Sequence, residues 1–196
     1  MIGKKGTLFI ISAPSGCGKT TIVNRVIKSL RNIKRSISAT TRSLRADEKK
    51  NKDYYFISEK TFKENAKKGK FLEWATNFGY YYGTPKKKVL DALKNGKDII
   101  LTIDVKGATQ VKRKMKKSVS VFVMPPSVKE LEKRLKGRAT DNNKEISTRL
   151  QVAKKEMAYS KKYDFVIIND NLNEAIGKLK SIIITKRCKV DRNTVR

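Results

Sequence analysis

Short apolar runs alternate with amphipathic stretches along most of the chain. Four runs, at residues 7–11, 99–103, 119–123 and 165–168, are continuous enough to predict strands buried on both faces. After the first run, apolar residues recur at the spacing of one helical face, at Ile22, Val23, Val26, Ile27 and Leu30. Strands that alternate with helices predict an α/β fold whose mostly parallel sheet is covered by helices.

Capping signals place further helices between these runs. Thr84 and Pro85 have the residue types of a helix cap and a first helical position, and Asn95-Gly96 predicts the end of that helix. Ser127 and Glu130 have the spacing of a capping box, which predicts another helix.

Two segments interrupt the alternation. Residues 38–84 combine tyrosines, threonines and charges with short strand-like pieces, which predicts a small mixed α/β insertion. Residues 126–158 are charged and helical with a narrow apolar stripe, and we expect them to form a mobile lid. The other segments, 1–37, 85–125 and 159–196, are expected to form the core of a single domain over about residues 6–187.

The composition restricts the chemistry. The 196 residues include no histidine, which removes the commonest general base and metal ligand, and the two cysteines lack the spacing of a zinc site. No apolar run approaches the roughly 20 residues that cross a bilayer, so we expect a cytoplasmic protein without membrane contact. The net charge of +29 points to anionic partners, although scattered lysines are also typical of a solvated surface.

One segment has the spacing of a phosphate-binding loop. It lies between the first predicted strand and the first predicted helix and comprises Ala13, Pro14, Ser15, Gly16, Cys17, Gly18, Lys19 and Thr20. Its glycines allow backbone N–H groups to converge on a phosphate, Lys19 can reach the β- and γ-phosphates, and Thr20 offers a hydroxyl to Mg²⁺. The fold class is therefore predicted to be the P-loop NTPase type, with ATP as co-substrate and Mg²⁺ as the ion.

The loop by itself predicts a nucleotide and not a reaction. A GTPase is disfavoured because Asn51-Lys52-Asp53-Tyr54 lacks the final Asp of a guanine-reading motif. An ATP-dependent kinase needs a second site for the acceptor, and Arg42 and Arg45 are close enough in sequence to converge on one phosphate. Taken alone, such a pair in a basic chain is more often part of a solvated surface.

Over nearly its whole length the sequence resembles the guanylate kinase family. Besides the loop, the matching segments are Ser38-Ala39-Thr40-Thr41-Arg42 with Arg45, Asp53-Tyr54-x-Phe56, Phe71-Leu72-Glu73-Trp74-Ala75, Tyr81-Tyr82-Gly83-Thr84, Ile103-Asp104-Val105-Lys106-Gly107-Ala108 and Arg134-Leu135-Lys136-Gly137-Arg138. The resemblance implies transfer of the γ-phosphoryl group of ATP to GMP. We expect dGMP to be an acceptor as well. It implies two sets of acceptor residues: Arg42, Arg45, Tyr54 and Tyr82 for the phosphate, and Ser38, Glu73 and Thr84 for the base.

The chemistry of guanine agrees with the role of Glu73. A carboxylate can accept both N1–H and N2–H of guanine, whereas adenine has no hydrogen at N1 and no 2-amino group. Adenine would leave a buried acceptor unpaired, and sites of this kind discriminate by about 10⁴ or more.

Cations should converge on the transferred phosphoryl group. Lys19 and Arg42 are candidates from the loop and the acceptor side, and the resemblance adds Arg134, Arg138 and Arg149 from the lid. Asp104, at the end of a predicted strand, is expected to orient the Mg²⁺ shell or to touch the acceptor, and relatives usually carry a second acid where this chain has Thr102.

Asn169 has two interpretations. It either touches the adenine edge in the manner of the family, or belongs with Asp170 and Asn171 to a turn and helix cap.

Two other functions remain as alternatives. A catalytically inactive guanylate-kinase-like binding module is disfavoured, because such modules usually lose the loop lysine and Lys19 is present. A nucleic-acid-binding protein would use the charge of +29, but that charge is scattered rather than concentrated, so nucleic acid is not a required partner. The sequence assigns no oligomeric state.

Overall fold

The structure, a computed structural model, describes residues 5–46, 48–137 and 143–190, with the side chains of 143–145 excepted. The chain divides into two compact units. The first comprises Met1–Ser12 and Asn32–Ser120, and the second comprises Ala13–Arg31 and Val121–Arg196. Within the described ranges, no helix is both long and apolar enough to span a membrane.

Strands and helices alternate along the described chain. The strands are β1 (Leu8–Ser12), β2 (Ile33–Arg35), β3 (Ser38–Thr40), β4 (Tyr54–Phe56), β5 (Phe71–Asn77), β6 (Tyr80–Pro85), β7 (Asp98–Thr102), β8 (Val119–Met124) and β9 (Phe165–Ile168). The helices are α1 (Lys19–Ser29), α2 (Glu59–Lys67), α3 (Lys86–Lys94), α4 (Val105–Lys114), α5 (Val128–Lys136), α6 (Asn143–Ala158) and α7 (Leu172–Cys188).

The first unit contains three parallel strands in the order β2-β7-β1. Every residue of β1 is buried, as the continuous apolar run predicted for a strand covered on both faces. Helix α3 contacts β7 and helix α4 contacts β1. This part of the unit has the helix-covered parallel sheet that the sequence predicted.

A second sheet in the first unit has the order β4-β3-β6-β5. The β3–β4 pair is parallel, and the β3–β6 and β5–β6 pairs are antiparallel. Phe62 of α2 stacks on Phe71 of β5 with ring centroids 4.5 Å apart, and both belong to a small core of their own. The predicted mixed α/β character of residues 38–84 is confirmed.

The cap predicted at Thr84 is wrong. Thr84 lies inside β6, and α3 begins at Lys86, after Pro85, without a side-chain cap from the N-cap position. The chain is still extended at Pro85, which pairs with Phe71 of β5. The Thr84 hydroxyl therefore does not cap α3, and it donates instead to the carboxyl group of Glu73.

The second unit contains the parallel pair β8 and β9, with Val121 opposite Phe165. Helix α1 packs against α7, α7 contacts β9, and α5 packs against α6. The buried face of α1 carries Ile22, Val23 and Val26, three of the five residues predicted for it. Ser127 caps α5 through the Glu130 amide, as the capping-box spacing predicted.

Candidate active site

The phosphate loop in the second unit has the backbone shape that its glycines permit. Gly16 and Gly18 have φ of 89° and 80°, in the left-handed region where a side chain is strained. Gly18 is the N-cap of α1, and as a glycine it makes no side-chain cap bond to this helix. The first-turn N–H groups and the positive end of the helix dipole therefore form an anion-binding site.

The loop is held closely from one side by helix α5. A Cβ on Gly16 would lie 2.9 Å from Leu135 Cδ2 and 3.2 Å from Leu131 Cδ1, and both leucines are fully buried. Apolar packing therefore fixes the loop at a position where only a hydrogen atom fits.

Asn169 holds the loop at its next turn. Its buried side-chain amide donates from Nδ2 to the carbonyl oxygen of Cys17 at 2.8 Å, and a Cβ on Gly18 would lie 2.7 Å from the same nitrogen. Arg134 Nη1 donates to the Asn169 carbonyl oxygen at 3.1 Å, while Arg134 Nε donates to Glu130 at 2.9 Å. Two residues predicted at the ATP site are thus brought together with the loop.

The helix cap that the sequence left as an alternative for residues 169–171 is present, and the last of these residues supplies it. Asn171, and not Asn169, caps α7, because its side-chain oxygen accepts from the amides of Asn173 and Glu174. The contact of Asn169 with adenine stays a prediction.

The remaining loop residues divide into exposed and buried. Lys19 is the first residue of α1, and the Thr20 side chain is exposed in the first turn. Cys17 is fully buried, and burial raises the pKa of its thiol to about 12, against the lowering effect of the Arg134 and Lys19 charges. The thiol is therefore neutral and a poor nucleophile.

The other two arginines predicted from residues 126–158 differ in what the structure describes. Arg149 lies on α6 and is half-buried. Arg138 lies outside the described residues, so its predicted role is carried by the resemblance alone.

In the first unit, Arg42 is held by several partners. Its Nη2 donates to Glu48 Oε1 at 2.6 Å and its Nη1 donates to the Ser43 carbonyl oxygen at 2.7 Å. Its guanidinium also lies 5.6 Å from the ring centre of Tyr54. Burial by itself lowers the pKa of Arg42, but the hydrogen bonds that Arg42 makes to Glu48 and Tyr82 outweigh it and raise the pKa, so the group stays charged.

The other phosphate candidates lie close to Arg42 or share its partner. The rings of Tyr54 and Tyr82 meet edge to face at 5.9 Å. Burial raises the pKa of Tyr54, which keeps its phenol a hydrogen-bond donor. The backbone amide of Arg45 donates to Glu48 Oε2 at 3.1 Å, so one carboxylate binds both arginine positions.

The base candidates centre on a buried acid. Glu73 of β5 is 3% exposed, and its Oε1 accepts from the hydroxyl of the fully buried Thr84 at 2.5 Å. Burial raises the pKa of Glu73 to about 7, the Thr84 hydrogen bond partly opposes this, and the charge of Asp104 adds to it. The protein therefore holds this carboxyl group near the balance of its two protonation states at neutral pH. Ser38, the third base candidate, begins β3 and pairs in register with Tyr54.

Asp104 follows β7 and is the N-cap of α4. Its Oδ1 accepts from the Gly107 amide at 2.8 Å. The hydrogen bond from Gly107 thus occupies one oxygen of the Asp104 carboxylate. The two predicted roles of Asp104, at the Mg²⁺ shell or at the acceptor, stay predictions.

Sequence reasoning missed two residues of this site. Glu48 contacts Arg42 across an irregular turn, so no helical or strand spacing predicts the pair. Gly107 contacts Glu73 from another element, and its only sequence signal was its place in the 103–108 segment.

The parallel strands and the glycine loop before α1 define a P-loop kinase fold. The guanylate kinase family model matches residues 5–186. The chain belongs to the guanylate kinase family, which confirms the predicted family and enzyme class.

Individual relatives agree with the family model. The guanylate kinase of Caldanaerobacter subterraneus subsp. tengcongensis is 46% identical over 98% of this chain and 93% of its own length. That of Clostridium tetani is 43% identical over 96% of this chain and 90% of its own. The crystal structure of guanylate kinase from Anaplasma phagocytophilum, at 31% identity, covers all of both chains with a TM-score of 0.82, which confirms the fold class.

Proposed function

We propose that the protein transfers the γ-phosphoryl group of ATP to GMP, giving ADP and GDP, with the loop at residues 13–20 for ATP and acceptor residues between 38 and 104 for GMP. Family membership supports the reaction. The observation that carries the acceptor assignment is the burial of Glu73, because a carboxyl group withdrawn from water needs a polar ligand.

In this assignment guanine adds hydrogen bonds to those that Glu73 accepts from Thr84 in the free protein. The ionised carboxylate accepts N1–H and N2–H of the base, while Thr84 keeps Glu73 Oε1 in place. AMP offers neither hydrogen, so its binding would leave the buried carboxylate without these two hydrogen bonds. Ser38 is proposed to complete the base site.

The GMP phosphate is proposed to bind Arg42, Arg45 and the phenols of Tyr54 and Tyr82. Arg42 has five N–H groups, and its contacts with Glu48, Ser43 and Tyr82 leave others for a phosphate. The edge-to-face pair of Tyr54 and Tyr82 places two phenol-bearing rings next to the guanidinium.

ATP is proposed to bind along the loop and the first turn of α1. The N–H groups at the start of α1 receive the β-phosphate, and Lys19 contacts the β- and γ-phosphates. Arg134, Arg149 and Arg138 are proposed to add positive charge, and Asn169 to contact the adenine edge. Because phosphoryl transfer needs little covalent help, positioning and charge neutralisation by these cations supply the rate.

The donor set fits Mg²⁺. Mg²⁺ in kinases binds through one or two protein groups plus substrate phosphates and water, so it needs no cage of carboxylates. The exposed Thr20 hydroxyl, which follows Lys19 at the start of α1, has the position and chemistry of such a ligand, and Asp104 would act on the ion's water shell. When bound, the ion neutralises charge on the transferred phosphoryl group.

Further expectations follow from the same assignment. The acceptor residues contact base and phosphate and none is assigned to the ribose 2′-hydroxyl, so we expect dGMP to be a substrate. Both cysteines are free thiols, which fits a reducing cytoplasm.

The test is a nucleotide panel. Purified protein is mixed with ATP, Mg²⁺ and GMP, dGMP, AMP, CMP or UMP, and ADP formation is followed. Turnover confined to GMP and dGMP is expected. Lys19→Ala should abolish it through loss of the phosphate contact, and a Lys19→Ala enzyme with unchanged kcat would contradict the loop assignment.

A further inference from the structure

Gly107, the third residue of α4, lies against the carboxyl group of Glu73. A Cβ at this position would be 2.5 Å from Glu73 Oε2 and 3.2 Å from its carboxyl carbon. Real Cβ atoms do not approach a heavy atom so closely, so one of the two groups would have to move.

The surrounding contacts decide which group moves. The backbone of Gly107 is fixed because its amide donates to the N-cap Asp104 at 2.8 Å. Oε2 of Glu73 is the end of a longer side chain, attached to the protein by the 2.5 Å hydrogen bond from Thr84 to Oε1. A methyl group at position 107 would therefore displace the carboxylate before it displaced the helix.

We propose that Gly107 is a specificity-determining positioning residue, whose missing side chain lets the Glu73 carboxylate lie against the first turn of α4 in the orientation that reads guanine. Gly107 touches no substrate and acts through Glu73. The inference rests on the proposed function, in which Glu73 accepts hydrogen bonds from the base.

The chain offers a matched control. Gly177 lies within α7, and a Cβ there would meet nothing within 4 Å. Replacement by alanine favours helix formation at both positions, because glycine is the poorer helix former. A difference between Gly107→Ala and Gly177→Ala therefore reports on the contact with Glu73 rather than on helix propensity.

The experiment compares these two variants with the unmodified protein, using GMP and IMP as acceptors. IMP keeps N1–H but lacks the 2-amino group, so the ratio of kcat/KM values for GMP and IMP reports how well the carboxylate is aligned. Gly107→Ala is expected to raise KM for GMP by about tenfold, to lower the GMP/IMP ratio, and to leave KM for ATP within about twofold. Gly177→Ala should match the unmodified protein in all three.

A double-mutant cycle separates positioning from other effects. GMP affinity is measured by calorimetry for Glu73→Ala, Gly107→Ala and the double variant. Once the carboxyl group is absent, Gly107→Ala should add less than about a twofold loss. An equal loss in both backgrounds would overturn the role of Gly107 but not that of Glu73, whereas unchanged GMP affinity in Glu73→Ala would overturn the guanine-reading role itself.

Folding is monitored by thermal melting. If Gly107→Ala alone melts early, Glu73→Ala/Gly107→Ala should melt at the temperature of Glu73→Ala, because the clash is gone. A double variant that stays unfolded would overturn the proposal.

Discussion

Arg42 and Glu48 form an ion pair with Nη2 and Oε1 2.6 Å apart, and their side chains are 11% and 14% exposed. The same carboxylate accepts the Arg45 amide, so it ties together the two arginines proposed to bind the acceptor phosphate. Burial by itself raises the pKa of Glu48, but the hydrogen bonds from Arg42 and Arg45 lower it below its ordinary value. Glu48 is therefore ionised at neutral pH.

Removal of this carboxylate should weaken GMP binding. In Glu48→Ala, Arg42 loses the partner that orients its guanidinium, and the turn that contains Arg45 loses an anchor. We expect KM for GMP to rise about tenfold with KM for ATP unchanged, since a hydrogen bond to a charged group contributes about 1.5–3 kcal/mol. Steady-state kinetics with each substrate varied in turn give the two values.

Glu59→Ala is the matched control, because Glu59 pairs with Lys63 on the exposed face of α2. Exposed pairs of this kind contribute little, so this variant should behave as the unmodified protein. A lower KM for GMP in Glu48→Ala would mean that Glu48 competes with the phosphate instead of orienting its binding group.

The stability of the free protein should depend on pH through Glu73. Its pKa is raised from 4.5 to about 7, chiefly by burial, so the folded protein holds this proton more tightly than the unfolded chain does. The stabilising contribution is complete below pH 4.5 and is lost as pH rises to about 7, by about 3 kcal/mol in all. Denaturant unfolding of the unmodified protein and Glu73→Gln at pH 5 and pH 8 measures it. Identical pH dependence in both proteins would contradict the assignment.

GMP binding should have the opposite dependence on pH. Below pH 7 the Glu73 carboxyl group carries a proton and loses an acceptor for guanine, so affinity for GMP should fall by up to tenfold per pH unit. Affinity for ATP should not follow this titration. Because the GMP phosphate also titrates near pH 6, the informative quantity is the difference between the unmodified protein and Glu73→Gln in calorimetric titrations.

Asn169→Ala should weaken the use of ATP more than the use of GMP. The change leaves the Cys17 carbonyl without its buried donor, which costs about 1–3 kcal/mol of unfolding free energy. We expect KM for ATP to rise more than KM for GMP. Asn173→Ala, on the exposed start of α7, is the control that should leave stability and both KM values unchanged. Equal increases in KM for ATP and for GMP would argue against a role of Asn169 in supporting the phosphate loop.

Thiol reagents should distinguish the two cysteines. Cys188 is exposed, whereas Cys17 is buried and its pKa is raised to about 12, so its thiolate is scarce at pH 8. Iodoacetamide should modify one thiol in the native protein, none in Cys188→Ser, and two after denaturation, as counted by mass spectrometry. Rapid alkylation of Cys17 in the folded protein would show that the loop opens.

The sequence predicted the elements whose signal is local. The runs at 99–103 and 119–123 correspond within a residue to β7 and β8, because strands buried on both faces are apolar throughout. The run at 165–168 forms β9, but the prediction that it is buried on both faces is wrong, because three of its four residues are exposed. The apolar stripe of α1 and the Ser127 cap could also be predicted, because each depends on residues only a few positions apart.

Contacts between elements that are distant in the chain could not be predicted from the sequence. Thr84 has the residue type of a helix cap, but the Glu73 carboxyl group of the adjacent strand takes its hydroxyl. The close approach of Gly107 to Glu73 depends on how α4 packs beside β5, which no spacing encodes. The resemblance proposed Glu73 as a base-reading residue, and that role stays a prediction. Its raised pKa could not be predicted from the sequence, because it depends on the burial that the structure describes.

At three glycines, 16, 18 and 107, an added Cβ would lie less than 3 Å from an atom of a neighbouring side chain. The chain carries 47 lysines and arginines, most of which can be exchanged at little expense because they are solvated. Mutational tolerance should therefore be low at these glycines, although they have no functional group to lose. In a saturation screen, we expect alanine to be selected against more strongly at these three glycines than at most of the basic residues.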